Sequence, residues 1–317
     1  MPPPKADANL AGASPGVLLF MRSPLATLLP LCSALGYPFA ALMLKRASSA
    51  EGGRWRVTAL TNWIAALLFA PWWILGGPPL TWSGVAEAAL GGALFFAGQV
   101  LTFLAISRGD VSLTTPVMGT KVIFVAFGAT LLAGDRLSGA LWLSAFLTVA
   151  ATGLLSGEIR ANRERVLPSV VFGFAAALAY ALCDITQALW VKEIGFGRFA
   201  PVMFATVGLL SFGLIPLFEA PLLRMDPAVF RWTAAGAVVL SLQATGIAYC
   251  LGVFREVTLT NILYNTRGMW SVVLVWGIGH WFSNTERSVG PAIMLRRLAG
   301  AALLLLAVFT ALRQKNG

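Results

Sequence analysis

Charged residues are scarce in this sequence: Asp, Glu, Lys and Arg together make up 11% of its 317 residues. Soluble domains carry about 25% charged residues, so the composition excludes an ordinary soluble protein. Apolar residues are correspondingly abundant at 58%, and the mean hydropathy is +0.79. We therefore expect an integral, multi-pass membrane protein, and we expect it in the cell (inner) membrane.

Histidine and cysteine are almost absent. A single histidine, His280, cannot form a two-histidine HExxH zinc motif, and its place near the end of a predicted span favours an interfacial role over a proton relay. The three cysteines, Cys32, Cys183 and Cys250, all lie inside predicted spans, which argues against a disulfide framework and a CxxC-type metal site. We predict no metal and no cofactor.

Motifs for nucleotide binding and for membrane-embedded hydrolysis are also lacking. The sequence has no GxxxxGK[ST] loop, so ATP drive within this chain is not expected, and it has no paired-Asp motif. We therefore do not predict an enzyme. The net charge of +10 comes from Lys and Arg in short loops between apolar runs, which is ordinary for a membrane protein, and we predict no nucleic-acid partner.

Apolar runs of about 20 residues recur along the chain. A helix rises 1.5 Å per residue, so such a run crosses a hydrocarbon core about 30 Å thick. The strands of a β-barrel would alternate apolar and polar residues, and runs such as 301–309 do not alternate. We predict an all-α protein with ten transmembrane helices at Ser23–Lys45, Val57–Gly77, Gly84–Ser107, Val111–Ala133, Ser138–Ser156, Ser169–Val191, Phe199–Glu219, Val229–Val253, Val257–Phe282 and Gly290–Leu312.

Two segments of the chain are similar to each other. Residues 109–121, GDVSLTTPVMGTK, align without a gap with residues 255–267, REVTLTNILYNTR. Identical and conservative matches include Thr120 with Thr266 and Lys121 with Arg267. Five helices are an odd number, so a second copy of a five-helix unit enters the membrane in the opposite orientation. We predict two inverted five-helix repeats around a central cavity.

The predicted boundaries follow from this duplication. The first repeat covers residues 24–156 and the second residues 169–312, with a linker at 157–168 and a short tail at 313–317. Residues 1–23 contain four prolines and no long apolar run, so we predict a disordered tail rather than a cleaved signal peptide. Lys and Arg are nearly balanced between the two sides of the membrane, which leaves the orientation open.

The chain resembles a known group of transporters. The opening of the fourth span, with Asp110, a Thr-rich stretch and Pro116, and the turn at residues 134–138, GDRLS, are similar to the drug/metabolite transporter superfamily, and specifically to its EamA-type ten-helix permeases. The resemblance covers nearly all of residues 24–312. It implies translocation of a solute through a central cavity between the repeats, by alternating access.

Two basic residues fall near the middle of predicted spans. Lys121 follows Val111 by ten residues and Arg267 follows Val257 by ten, which places each about 15 Å into the membrane. A charge there costs about 2.5–3.5 kcal/mol on insertion scales, so it usually faces a cavity or a partner. In one interpretation the two cations face each other and bind an anionic or zwitterionic solute. In the other, Asp184 in the sixth span pairs with one of them.

Further polar residues accompany these charges. Helical spacing places Thr114 on the face of Lys121, and it places Tyr264 and Ser271 on the face of Arg267, flanked by Asn261 and Asn265. Gln187 lies almost one turn beyond Asp184, where either residue is a candidate for ion coupling. Other candidates for the cavity lining, which hydrogen bonds between helices explain equally well, are Gln99, Gln243, Tyr249, Tyr37 and Tyr180.

These patterns predict a secondary transporter for a small polar metabolite. Its partners are the solute, membrane lipids, and either protons or a counter-transported anion, and a homodimer is left open. The resemblance agrees with an anionic solute, because phosphate-translocating relatives in the superfamily use basic residues on the corresponding helices. Alternatives of the same architecture are a lipid flippase or scramblase and a channel; an integral-membrane enzyme is the less favoured rival.

Overall fold

The computed structural model describes residues 24–48, 53–108, 111–155, 163–278 and 291–316. Every regular element within these ranges is helical, as the composition predicts. The predicted tail at residues 1–23, the first half of the predicted linker (residues 157–162), Asp110 and His280 lie outside the described residues.

Twelve α-helices form the described part of the chain. Three 3-10 segments, at Ala70–Leu75, Phe212–Leu217 and Leu222–Arg224, and a π-helical turn, at Cys250–Phe254, adjoin them. The helices are α1 (Leu25–Ala47), α2 (Arg54–Phe69), α3 (Trp82–Arg108), α4 (Val111–Gly119), α5 (Lys121–Leu131), α6 (Gly139–Leu155), α7 (Arg163–Ile194), α8 (Phe196–Ser211), α9 (Pro227–Tyr249), α10 (Val257–Tyr264), α11 (Arg267–Ile278) and α12 (Pro291–Asn316).

Seven helical segments are long and apolar enough to cross a membrane. They are Leu25–Ala47, Arg54–Leu75, Trp82–Arg108, Val166–Ile194, Phe196–Leu217, Pro227–Phe254 and Leu295–Arg313. Two shorter apolar helical segments, Pro116–Leu131 and Gly139–Leu155, coincide with the fourth and fifth predicted spans. The prediction of a multi-pass helical membrane protein is therefore confirmed, while the count of ten spans and their inverted arrangement remain predictions.

Helices that are distant in sequence pack against one another. Helix α1 packs on α9, α3 on α7, α2 on α8 and α6 on α12. Small residues permit the close approach of such helices in a membrane. A Cβ atom added at Gly92 of α3 would press on the Met203 carbonyl and lie 2.9 Å from Thr206 Cβ on α8, and one added at Gly236 of α9 would lie 2.9 Å from Leu44 of α1.

Two predicted spans are interrupted where the sequence suggests continuous helix. The fourth span divides at Thr120, between α4 and α5, and the ninth divides at Asn265 and Thr266, between α10 and α11. The backbone N–H groups of both threonines bond to carbonyls three residues earlier, Val117 and Leu263, which tightens the turn locally. Lys121 and Arg267 are consequently the first residues of new helices.

We predict that Gly92→Ala lowers the stability of the protein. The new methyl group would overlap the Met203 carbonyl of α8. Overpacking of this kind lowers the free energy of unfolding by about 1–3 kcal/mol. The melting temperature of the detergent-purified protein is the measurement. Gly153→Ala on α6 is the matched control, because no atom lies within 4 Å of the added Cβ. An equal melting temperature for both variants would contradict the packing described.

Candidate functional site

A cavity of about 280 Å³ lies among the helices. Side chains from α1, α2, α3, α5, α7, α8, α9, α10 and α11 line it, together with Met118 at the end of α4. Its charged lining residues are Lys121, Asp184 and Arg267. Most of its other lining residues are aromatic, aliphatic or thioether side chains. The cavity is thus a mainly apolar chamber with three charges in its wall.

Lys121 and Asp184 form an ion pair in this wall. The Lys121 Nζ atom lies 2.7 Å from Asp184 Oδ2, and the side chains are 18% and 9% exposed. Asn261 Nδ2 donates a second hydrogen bond to the same oxygen at 2.7 Å. The carboxylate therefore has a charged and a neutral donor, as a buried ion pair requires. Asp184 therefore pairs with Lys121 and not with Arg267.

Arg267 has a different environment. Its guanidinium carbon lies 4.4 Å from the centre of the Tyr264 ring and 4.8 Å from that of Tyr37, and the two rings meet edge to face with centroids 6.2 Å apart. These are cation–π contacts. No carboxylate among the described residues forms an ion pair with Arg267. With Lys121 and Asp184 neutralising each other, the described lining retains one positive charge.

An amide network builds another part of the wall. Asn62 and Gln99 exchange two hydrogen bonds of 2.8 and 3.0 Å, and Asn62 also donates to Ser211 Oγ at 2.9 Å. These bonds join α2, α3 and the end of α8, and Asn62 is 2% exposed. Asn62 is not among the site residues predicted from the sequence, although an amide in the middle of an apolar run indicates a polar contact or a cavity.

The cavity brings together most of the residues predicted from the sequence. Gln187 and Gln243 each donate a hydrogen bond to a carbonyl of their own helix, Cys183 at 3.4 Å and Leu240 at 3.0 Å. Asn261 contacts Asp184 but does not itself line the cavity. The predicted residues that the structure places in the lining are Lys121, Arg267, Tyr264, Gln99, Gln243, Tyr37, Tyr180, Asp184 and Gln187.

Besides Asn261, four predicted residues lie outside the lining, and each has another contact. Thr114 is 1% exposed and donates to the Ala105 carbonyl at 3.1 Å. Ser271 donates to the Arg267 carbonyl at 2.8 Å. Tyr249 packs its ring against aromatic neighbours, and Asn265 closes the end of α10 through its backbone N–H. The tightened turn at Thr120 lies between Thr114 and Lys121, so the count along an unbroken helix does not hold for Thr114, whereas Ser271 follows Arg267 by one regular turn of α11 and lies outside the lining.

Comparisons with known proteins agree with the resemblance found in the sequence. Residues 23–157 match the EamA-like transporter family, which agrees with the resemblance seen in the sequence and supports a membrane transporter. One solved structure, titled only "Crystal structure of protein", shares 20% identity with a TM-score of 0.71 and covers 92% of this chain and 99% of its own. At that identity the likeness shows a shared fold. No curated protein matches the sequence.

We predict that Asp184→Asn destabilises the protein and that Lys121→Met in the same chain restores most of the loss. Removing one partner of a buried ion pair leaves the other charge buried and unpaired, which lowers the free energy of unfolding by about 3–5 kcal/mol. Removing both charges leaves no unpaired charge. Melting temperatures of the purified variants measure this. Asp226→Asn makes the same chemical change at an exposed helix N-cap, where Asn caps equally well. A double variant no more stable than Asp184→Asn would contradict the assigned pair.

Proposed function

We propose that the protein is a secondary transporter that carries a small anionic or zwitterionic metabolite through this cavity by alternating access, across the cell (inner) membrane. The observation that carries the proposal is the charge of the cavity. Arg267 reaches a chamber in the interior of the bundle, and no ion-paired carboxylate among the described residues offsets it. A cation held in such a place favours a ligand of opposite charge.

The guanidinium group suits this role. It presents a planar set of N–H donors that matches a carboxylate or phosphate in a two-pronged contact. The Tyr37 and Tyr264 rings contact the guanidinium through their π systems, and the Tyr264 side chain also forms a hydrogen bond with it. Both contacts stabilise the charge. Two tyrosines thus hold the cation in place when no anion is bound.

The interrupted helices add to the positive potential. Helices α5 and α11 begin at Lys121 and Arg267, so the positive ends of two helix dipoles lie beside the cations. Half-helices that direct their N-termini toward an anionic substrate are a recurring feature of transporters. The location of both cations at helix starts therefore supports an anionic group as the recognised part of the solute.

The ion pair offers a site for coupling. A proton on Asp184 would release Lys121, whereas exchange of one anion for another needs only Arg267. We place the coupling site, if transport is proton-driven, at Asp184 with Gln187 beside it. The experiment is a pH-jump flux assay in proteoliposomes, in which Asp184→Asn abolishes proton-driven uptake; equal proton-driven uptake in both proteins would exclude Asp184 as the coupling site.

We predict that Arg267→Gln weakens anion binding about thirtyfold or more, because a buried charge-assisted contact is lost. The probes are acetate, benzoate, inorganic phosphate and glutamate. The affinity for each is obtained from the rise in melting temperature of the purified protein with increasing anion concentration. Arg267→Lys is expected to bind with intermediate affinity, since it keeps the charge but loses the fork. Arg54→Gln, which removes an exposed arginine from the start of α2, is the matched control.

Saturable counterflow of the bound anion in proteoliposomes then separates a carrier from a channel, and a lipid-reporter assay separates either from a flippase. Equal affinity of wild type and Arg267→Gln for every bound anion would contradict the proposed site.

A further inference from the structure

The two aligned threonines, Thr120 and Thr266, share an unusual hydrogen-bond arrangement. Thr120 Oγ1 donates to the Val117 carbonyl at 2.6 Å, and its backbone N–H donates to the same oxygen at 3.1 Å. Thr266 repeats this on the Leu263 carbonyl, with distances of 2.7 and 3.1 Å. Each threonine thus directs two donors to one carbonyl of its own helix, three residues earlier.

The hydroxyl contact alone does not interrupt a helix. Thr186 Oγ1 bonds to the carbonyl three residues earlier at 2.7 Å within the unbroken α7, and Thr130 bonds four residues earlier at 2.9 Å within α5. At Thr120 and Thr266 the backbone N–H makes the same short-range bond, and the helix is interrupted there. The hydroxyl bond then reinforces a turn that is already tighter than an α-helix.

Proline does not account for both breaks. Pro116 lies four residues before Thr120 and lacks an N–H donor, but the aligned residue before Thr266 is Ile262. The threonine is identical in the two segments and the proline is not. The feature that the two breaks share is therefore the threonine, followed at once by the cation.

The segments on either side of each break share their main partner. Helices α4 and α5 both pack mainly on α7, and α10 and α11 both pack mainly on α1. Helices α5 and α10 also pack on each other through Val122, Ala126, Ile262 and Leu263 in one buried cluster. The helix that follows Thr120 and the helix that ends before Thr266 are therefore held together next to the two cations.

We infer that Thr120 and Thr266 are positioning residues whose hydroxyl groups hold the tightened turns and thereby aim Lys121 and Arg267 into the cavity. The inference rests on the proposed function for the binding role of the cations. The turns themselves are a separate structural claim. Neither threonine lines the cavity, so each acts through the cation that follows it.

The test compares hydroxyl-deleting with hydroxyl-keeping variants. Thr266→Val and Thr120→Val keep the side-chain shape and lose the donor, whereas Thr266→Ser and Thr120→Ser keep the donor. Thr130→Val is the matched control, because its hydroxyl caps a carbonyl within a regular stretch of α5. All are made with Cys32, Cys183 and Cys250 replaced by alanine, so that spin labels can be attached at Val273 on α11 and Leu305 on α12.

Two readouts are taken from each protein: the distance distribution between the two labels, and the affinity for the strongest binder among acetate, benzoate, phosphate and glutamate. We expect Thr266→Val to shift the label distance and both valine variants to weaken binding about threefold to tenfold, the effect of one net hydrogen bond. The serine variants and Thr130→Val are expected to match the unsubstituted protein in both readouts.

The inference is overturned if Thr266→Val leaves the label distance unchanged, whether or not binding weakens, or if the serine variant shifts it as far as valine does. Unchanged binding in both valine variants would also overturn the positioning role. Absence of binding by every probe to the unsubstituted protein would instead count against the proposed function, and the label distances would still decide the claim about the turn.

Discussion

An ionised side chain in the hydrocarbon layer is stable only where it meets an opposite charge or a polar cavity, and this constraint organises the centre of the protein. Asp184 neutralises Lys121 at 2.7 Å, with Asn261 as a second donor. Arg267 instead rests against two tyrosine rings and faces the chamber. Two residues that align in sequence thus have different environments, and in the proposed function only Arg267 selects the solute.

The helical fold could be predicted well from the sequence, because in lipid every backbone polar group must be bonded internally and only helices allow this along a single apolar run. The presence of two cations in the cavity wall was also predictable, since Lys121 and Arg267 interrupt apolar runs at the same offset. The cation with which Asp184 pairs was not predictable, because the pairing depends on how the helices pack. The Asn62–Gln99 bonds have the same origin, joining residues 37 positions apart.

Two side chains that the sequence places beside the cations lie outside the cavity lining, for different reasons. The count from Thr114 to Lys121 crosses the turn at Thr120, where the N–H group bonds three residues back, and Thr114 bonds to Ala105 instead. Ser271 follows Arg267 by one regular turn of α11 and bonds to its carbonyl, so it keeps the predicted face but lies outside the lining. The turns at Thr120 and Thr266 place both cations at the start of new helices.

A structure of the protein with a transported anion bound tests the central claim most directly, namely that Arg267 receives the solute while Lys121 stays paired. The account predicts a carboxylate or phosphate oxygen about 2.7–2.9 Å from the guanidinium of Arg267, with the Lys121–Asp184 contact intact. An anion bound away from Arg267, or held by Lys121 with Asp184 displaced onto Arg267, would contradict it.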